Sequence, residues 1–326
     1  MIRLLGSSWR QIQRLGLVCC ALAWFSLPAQ ASEGGLVAGP LGGSDLRAAL
    51  SPPPGTYLLI MPLAGNVVDL RDRDGNKNPL DFSGSSVGAG AALYHVFEDM
   101  VAGGRFGLGV TGAVAKACIR INALNRSQCQ TNFTDTFIEG FWSRPIGELG
   151  LSGPAADDPR RQYIPYGLTL GLSLGAVLPT GAYSPEDLAP LGSNTPVLVP
   201  SLAATWISPP WLGDGTELST RIFYNVHGRN DSTGYQAGDM LVVDWAVTER
   251  IGRFQLGPAG TYATQIQDDR QNGRNLGSTE VVSVGGVIAA DLPELGMFVA
   301  FKALRDIEAQ YRLRVDRAIL RIGMRF

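Results

Sequence analysis

Residues 166–181 read YGLTLGLSLGAVLPTG, and whether that stretch is helix or strand decides the fold. Its leucines fall at 168, 170, 172, 174 and 178, with Ala176 completing the row. Thr169, Gly171, Ser173, Gly175 and Val177 stand between them. A helix would scatter these leucines around its circumference, whereas a strand gathers them on one face. Leu has little intrinsic strand preference, so the period of 2 carries the assignment. The run is also shorter than the about 20 apolar residues of a membrane helix. One oily face backed by small and polar groups is what a transmembrane β-barrel strand requires.

The rest of the chain extends this pattern. Only 17% of the 326 residues are charged and 41 are Gly, which points to an all-β chain rich in turns. No basic run or aromatic–basic interleaving is present, which argues against a nucleic-acid partner. Residues 1–31 read as a signal peptide. Arg3, Arg10 and Arg14 precede an apolar run over 15–27, and Ala29-Gln30-Ala31 supplies a small-x-small cleavage site. Its removal takes three Arg and no acid, moving the formal charge from −2 to −5. Cys19 and Cys20 lack a lipobox context. The mature chain then keeps Cys118 and Cys129, which export favours as a disulfide across a polar, loop-like stretch.

Twelve strand-like segments follow, at about 56–66, 85–97, 105–118, 133–143, 163–179, 197–207, 216–227, 238–249, 253–267, 279–290, 296–305 and 315–326. Several alternate cleanly. Phe106, Leu108, Val110 and Val114 oppose Gly107, Gly109, Thr111 and Ala113; Leu218, Ile222, Tyr224 and Val226 oppose Glu217, Ser219, Arg221, Asn225 and His227. Leu241, Val243, Trp245 and Val247 oppose Asp244, Ala246 and Thr248. Longer polar connections follow the odd strands (67–84, 119–132, 180–196, 228–237, 268–278 and 306–314), and shorter turns follow most even ones, with 144–162 an exception. That is the layout of an outer-membrane barrel. The closing strand VDRAILRIGMRF sets Ala318, Leu320, Ile322, Met324 and Phe326 against Arg317, Ile319, Arg321, Gly323 and Arg325. Three Arg on one buried face would be costly, but in a wet lumen they face water. The expected architecture is a transmembrane, antiparallel, up-and-down β-barrel over 55–326, with 32–54 as a periplasmic N-terminal segment. There Ser44 is placed to cap one helical turn through Leu50, ended by prolines. The segment reads equally as a small plug or as a mobile Gly/Pro tail.

Short motifs add a family. These are Leu178-Pro179-Thr180-Gly181-Ala182-Tyr183, the run Asn230-Asp231-Ser232-Thr233-Gly234-Tyr235-Gln236-Ala237-Gly238-Asp239, and Tyr262-Ala263-Thr264-Gln265-Ile266-Gln267-Asp268-Asp269, with Pro53-Pro54-Gly55-Thr56-Tyr57 leading into the first strand. On these the chain resembles the phenol-degradation meta-pathway family, which includes sphingosine-induced outer-membrane porins. The resemblance implies a barrel in the outer membrane of a Gram-negative bacterium, linked to uptake of hydrophobic compounds. Phe326 likewise resembles the C-terminal signal that barrel assembly machinery reads. The stretch at 153–158 and the Cys118–Cys129 region are peculiar to this chain, so substrate identity does not carry over.

Candidate chemistry is sparse. His95 and His227 sit near opposite ends of a band about 25 Å tall, too far apart to share a site. The GxSxG matches at 84–88 and 171–175 lack the strand-to-helix turn of a nucleophile elbow. His227 near Asp231 and Ser232 reads better as a solvated loop mouth than as a catalytic group. Strand phase points Asp135, Glu139, Glu217, Arg221, Asn225, Asp244, Lys302, Arg317, Arg321 and Arg325 into the lumen, where they serve either wall rigidity or selectivity. Pairing His227 with Gly238 would set Arg221 opposite Asp244. At the outer mouth, Tyr183, Asn230, Thr233, Tyr235, Asp239, Gln265 and Asp268 are candidates to gate or contact a solute, the tyrosines by stacking; ordinary turn chemistry explains the same residues. No cofactor or metal is implied. Expected partners are outer-membrane lipid, a small hydrophobic or amphipathic solute, and the assembly machinery through Phe326. The leading function is a channel for such solutes, aromatic compounds or long-chain lipids among them. A closed structural or receptor barrel is the alternative, and a hydrolase the weakest reading. Twelve strands lie between a side-chain-filled barrel and an aqueous pore.

Overall fold

The computed structural model describes residues 28–29, 39–40, 43–151 and 165–326. The expected signal segment, apart from two of its residues, and the stretch at 153–158 lie outside them. Twelve antiparallel strands form a closed barrel. They are β1 (Gly55–Leu70), β2 (Phe82–Val101), β3 (Gly104–Ile121), β4 (Thr136–Leu151), β5 (Pro165–Leu178) and β6 (Val197–Ile207). The second half comprises β7 (Gly215–His227), β8 (Met240–Ile251), β9 (Phe254–Gln265), β10 (Glu280–Leu292), β11 (Met297–Gln310) and β12 (Leu313–Arg325). Each pairs with its sequence neighbour, and β12 closes on β1, with Ile322 opposite Ile60 and Arg317 opposite Gly65. Closure leaves no unpaired edge in the wall, as a bilayer demands.

The alternation read from the sequence sets the two faces. On β5, Leu172 and Leu174 are exposed on the outside while Thr169, Gly171 and Val177 are buried inside. The expected pairing of β7 with β8 is present, with Arg221 opposite Asp244.

Among the connections that differ from expectation, two have a clear physical reason. The stretch between Cys118 and Cys129 is a hairpin: β3 continues past the barrel and pairs with a second leg, Arg126–Phe133, with the two cysteines directly opposite and bridged. The true turn is only 122–125, because the polar residues Ser127, Gln128 and Gln130 lie on a strand that leaves the membrane. The connection placed at 306–314 shrinks to 311–312. Asp306 and Glu308 belong to β11: Asp306 faces inward, buried against the Ser283 hydroxyl and the Val315 amide, and Glu308 lies exposed near the strand's outer end.

The N-terminal segment enters the barrel. Residues 44–50 are buried, with Leu46, Arg47, Ala48 and Ala49 fully enclosed by the wall. The expected helical turn is replaced by a tight turn over 46–49, with Arg47 at φ 55° and the Leu50 amide on the Arg47 carbonyl. Ser44 does not cap it, since its hydroxyl donates to Asp244 (2.9 Å).

Candidate functional site

The short-turn end, taken as periplasmic, is occupied by residues 43–54, bonded to strands on every side. Asp244 of β8 accepts from the Gly43 and Ser44 amides (3.1 Å each) and from Thr261 (2.8 Å). Lys302 of β11 pairs with Asp45, and Arg321 of β12 donates to the Gly43 carbonyl (2.8 Å). The Arg47 amide donates to Glu217 (2.6 Å), and its guanidinium grips Asp291 through two bonds (3.0 and 2.8 Å) and Gln255 through a third (3.1 Å). Ala48 and Ala49 donate to Ser219 and Thr205, and Ser143 donates to the Ala49 carbonyl. Arg325 and Tyr57 anchor the prolines below through the Pro54 and Pro53 carbonyls. Most of the charged residues expected to line a wet pore are therefore turned onto this segment.

Above the segment sits a second polar layer. Arg221 of β7 reaches Glu139 of β4 (2.6 Å), both almost wholly buried, and also donates to Ser201 (2.9 Å) and Ser173 (2.7 Å). Tyr94 donates to Glu139 from β2 (3.4 Å). Charge-assisted bonds of this kind are the stronger class. Asn225, four residues higher on β7 and beyond Phe223, is also buried inside.

Higher still the lumen is mostly apolar, apart from Asn225 and the cluster of Arg317, Asp306 and Ser283. Phe137, Val177, Val199, Phe223, Met240, Val242, Ala263 and Val281 form one cluster across β4 to β10. Ala115, Ala117, Ile119 and Leu313 cover the remaining sector together with Ala189 and Leu191 of the 179–196 connection, which therefore dips into the mouth. Asp135 holds that connection through the Gly181 amide (2.9 Å) and the Ser193 amide and hydroxyl (2.7 and 2.5 Å). On the other side, Gln128 of the extended hairpin donates to Asp187 and accepts from the Leu188 amide (2.7 Å each), and Gln130 donates to the Ala189 carbonyl. Arg317 lies in this outer half, donating to Ser283 (2.7 Å) and 3.4 Å from Asp306. The row Arg317, Arg321 and Arg325 thus faces inward as expected, yet each member meets its own partner.

The expected mouth residues are brought together as a scaffold. Asn230 accepts from Asn194 (2.8 Å), and Asp239 accepts from the His227 amide (3.1 Å) and Tyr224 (3.2 Å). Gln265 donates to Gly238 and Asp269, and Thr233 accepts from the Tyr235 amide. Tyr235 is buried with its hydroxyl on Asp269, so its ring is packed away from any solute. Tyr183 and Asp268 are half-buried. The hub is Asp269, which the sequence reading passed over for its neighbour Asp268; it also takes the Gly238 amide (2.9 Å). Beside the mouth, Lys77 and Asn122 hold the exposed Asp81 carboxyl below its ordinary range. Asp45, Arg47, Gln255, Asp291 and Asp306 were missed too, because their partners lie far away in the chain or in another layer.

Both GxSxG matches lie within strands, 84–88 in β2 and 171–175 in β5, where neither forms the strand-to-helix turn of a nucleophile elbow. Ser173 is mid-strand and bonded to Ser201 and Arg221. His95 is on the outer face near the periplasmic end, against Thr56 and Phe97. Among the described residues no group of three or more His, Cys, Asp or Glu is arranged to hold a metal ion.

The fold has counterparts. The crystal structure of an outer-membrane channel from Pseudomonas putida F1 aligns with TM-score 0.68 at 14% identity, over 85% of this chain and 97% of that one. More distant are the transport unit of the autotransporter AIDA-I from Escherichia coli (TM-score 0.45, 11% identity, 83% of this chain and 90% of that one) and a FadL homologue from Pseudomonas aeruginosa (TM-score 0.38, 10% identity, 92% and 98%). No curated protein matches the sequence. The family described as "Putative MetA-pathway of phenol degradation" matches residues 69–322, and the chain belongs to it as an outer-membrane β-barrel.

Proposed function

We propose that the barrel is a channel through which small hydrophobic or amphipathic molecules, such as aromatic compounds or long-chain lipids, cross the outer membrane. The observation that carries this reading is the apolar ring of the outer lumen. A pore for hydrophilic solutes keeps a polar wall, whereas Phe137, Phe223, Met240 and Val242 favour a solute that gains by leaving water. Beneath the ring, the Glu139, Arg221, Ser173 and Ser201 layer offers hydrogen bonds to a polar head group. Passage requires residues 43–54 to shift. They are held by hydrogen bonds and ion pairs, which a water-filled lumen or a polar head group can replace. The exposed C-terminal Phe326 suits recognition by the assembly machinery.

The alternative, a non-conducting receptor barrel, is favoured by one observation: residues 43–54 lie inside the periplasmic half, hydrogen-bonded to strands across it. Planar-bilayer recording of the refolded chain separates the two. The channel reading expects a small conductance that a long-chain amine or aromatic acid blocks in proportion to its concentration. Silence in every condition, with the solute bound but not moved, supports the receptor.

A further inference from the structure

The outer face of the hairpin formed by β3 and Arg126–Phe133 carries cations with no acidic partner among the described residues. Between Val101 and Thr134 the chain has Arg105, Lys116, Arg120 and Arg126 and no acid. Lys116 and Arg120 stand on one outward row, on either side of Cys118, and both are exposed. Neither makes an ion pair or hydrogen bond among the described residues. Register surrounds them with hydroxyls. Lys116 lies opposite Val87 of β2 and Thr131, Cys118 opposite Ser85 and Cys129, and Arg120 opposite Ser83 and Ser127. The disulfide ties the two legs together at the centre of this face.

The height of the patch identifies what it meets. On β2 the outward row from Phe97 up to Val87, both exposed, is apolar except for His95 near its lower end. Ten residues at about 3.3 Å each give roughly 33 Å along the strand. At the usual tilt of about 40° this is close to the apolar band of about 25 Å. Lys116, opposite Val87, is therefore at the upper edge of the band. Phe133 and Val114, opposite one another and exposed, end the band on the other side. Arg120 rises four residues further, about 13 Å along the strand, into the head-group layer. Two cations at that spacing on an open face do not close around one small anion, but they match an amphiphile bearing separated phosphates.

We propose that this face binds a phosphorylated glycolipid of the outer leaflet. Its phosphates engage Lys116 and Arg120 with support from Ser85, Ser127 and Thr131, and its acyl chains lie on Val87, Val114 and Phe133. The inference does not depend on what passes through the lumen.

The test is native mass spectrometry of the full-length protein in non-ionic detergent, titrated with diphosphorylated lipid A or with the same lipid stripped of phosphate. The phosphorylated form should be retained preferentially. Lys116→Gln with Arg120→Gln should weaken its retention about tenfold or more, the effect of two interfacial cations. Arg305→Gln, whose side chain is already paired with Asp316, should not, and excess inorganic phosphate should not displace the lipid. Equal retention of the two lipids by the unaltered protein, unchanged retention by the double variant, or displacement by inorganic phosphate would each overturn the proposal. The comparison of lipids on the unaltered protein decides the matter even if the double variant folds poorly.

Discussion

Arg47 shows how a single side chain fixes a backbone. Its φ of 55° is a left-handed conformation that costs a non-glycine residue about 1–3 kcal/mol. The two bonds to Asp291, the third to Gln255 and the stacking on Phe298 offset that cost. Arg47→Ala should loosen residues 43–54, and protease cleavage near residue 50 in the refolded protein should speed up while the barrel stays intact. Glu139 and Arg221 behave differently, because both are buried and neither can turn to water. Glu139→Gln should destabilise the barrel by about 3–5 kcal/mol, the usual loss when one partner of a buried pair is removed. Replacing both, as Glu139→Gln with Arg221→Met, should recover most of it. Thermal unfolding in detergent measures both, and equal losses in the single and double variants would show that the pair is not coupled.

At the scale of the strand, phase governs what each position tolerates. Leu172 faces lipid near the middle of β5, so Leu172→Arg should cost about 2–4 kcal/mol and impair assembly. Ser173→Ala, one residue away and facing inward, should lose only its bonds to Arg221 and Ser201 and assemble normally, as heat-modified mobility on gels would show. Ser173→Arg, which an empty wet lumen would accept, instead meets Arg221 and should fold poorly. This contrast marks what the sequence made legible. A period of 2 in Leu168 to Leu178 reveals which face is oily, and the hairpin geometry of His227 and Gly238 yields the Arg221–Asp244 register. Nothing local to Ser173 reveals that Glu139 and Arg221 fill the space before it. The same limit hid the strand nature of Gln128 and Gln130, whose polarity reads as loop until the 179–196 connection is seen packed on them. That clamp leads to a further expectation. Cys118→Ser with Cys129→Ser should leave the barrel assembled but release the connection, raising protease cleavage at 183–190; an unchanged rate would mean the two glutamines hold it unaided.

Across the whole molecule, the lumen charge read as free is committed. Arg317, Arg321 and Arg325 were legible as an inward basic row, but their partners Asp306, Gly43 and Pro54 come from another strand and from the segment before the barrel. Arg321→Gln should therefore raise conductance by loosening residues 43–54, and should not merely shift ion preference; bilayer recordings that show a changed reversal potential at unchanged conductance would restore the selectivity role. The layers then have an order along the axis: an apolar mouth, a buried polar step at Arg221, and a hydrogen-bonded N-terminal segment at the periplasmic end. A solute with an apolar body should cross this sequence and a sugar of similar size should not. The most direct measurement is flux into proteoliposomes of a labelled long-chain amine or aromatic acid against that of a sugar, each corrected for protein-free vesicles. The account predicts protein-dependent entry of the apolar solute and negligible entry of the sugar. Equal entry of both, or no protein-dependent entry of the apolar solute, would contradict it.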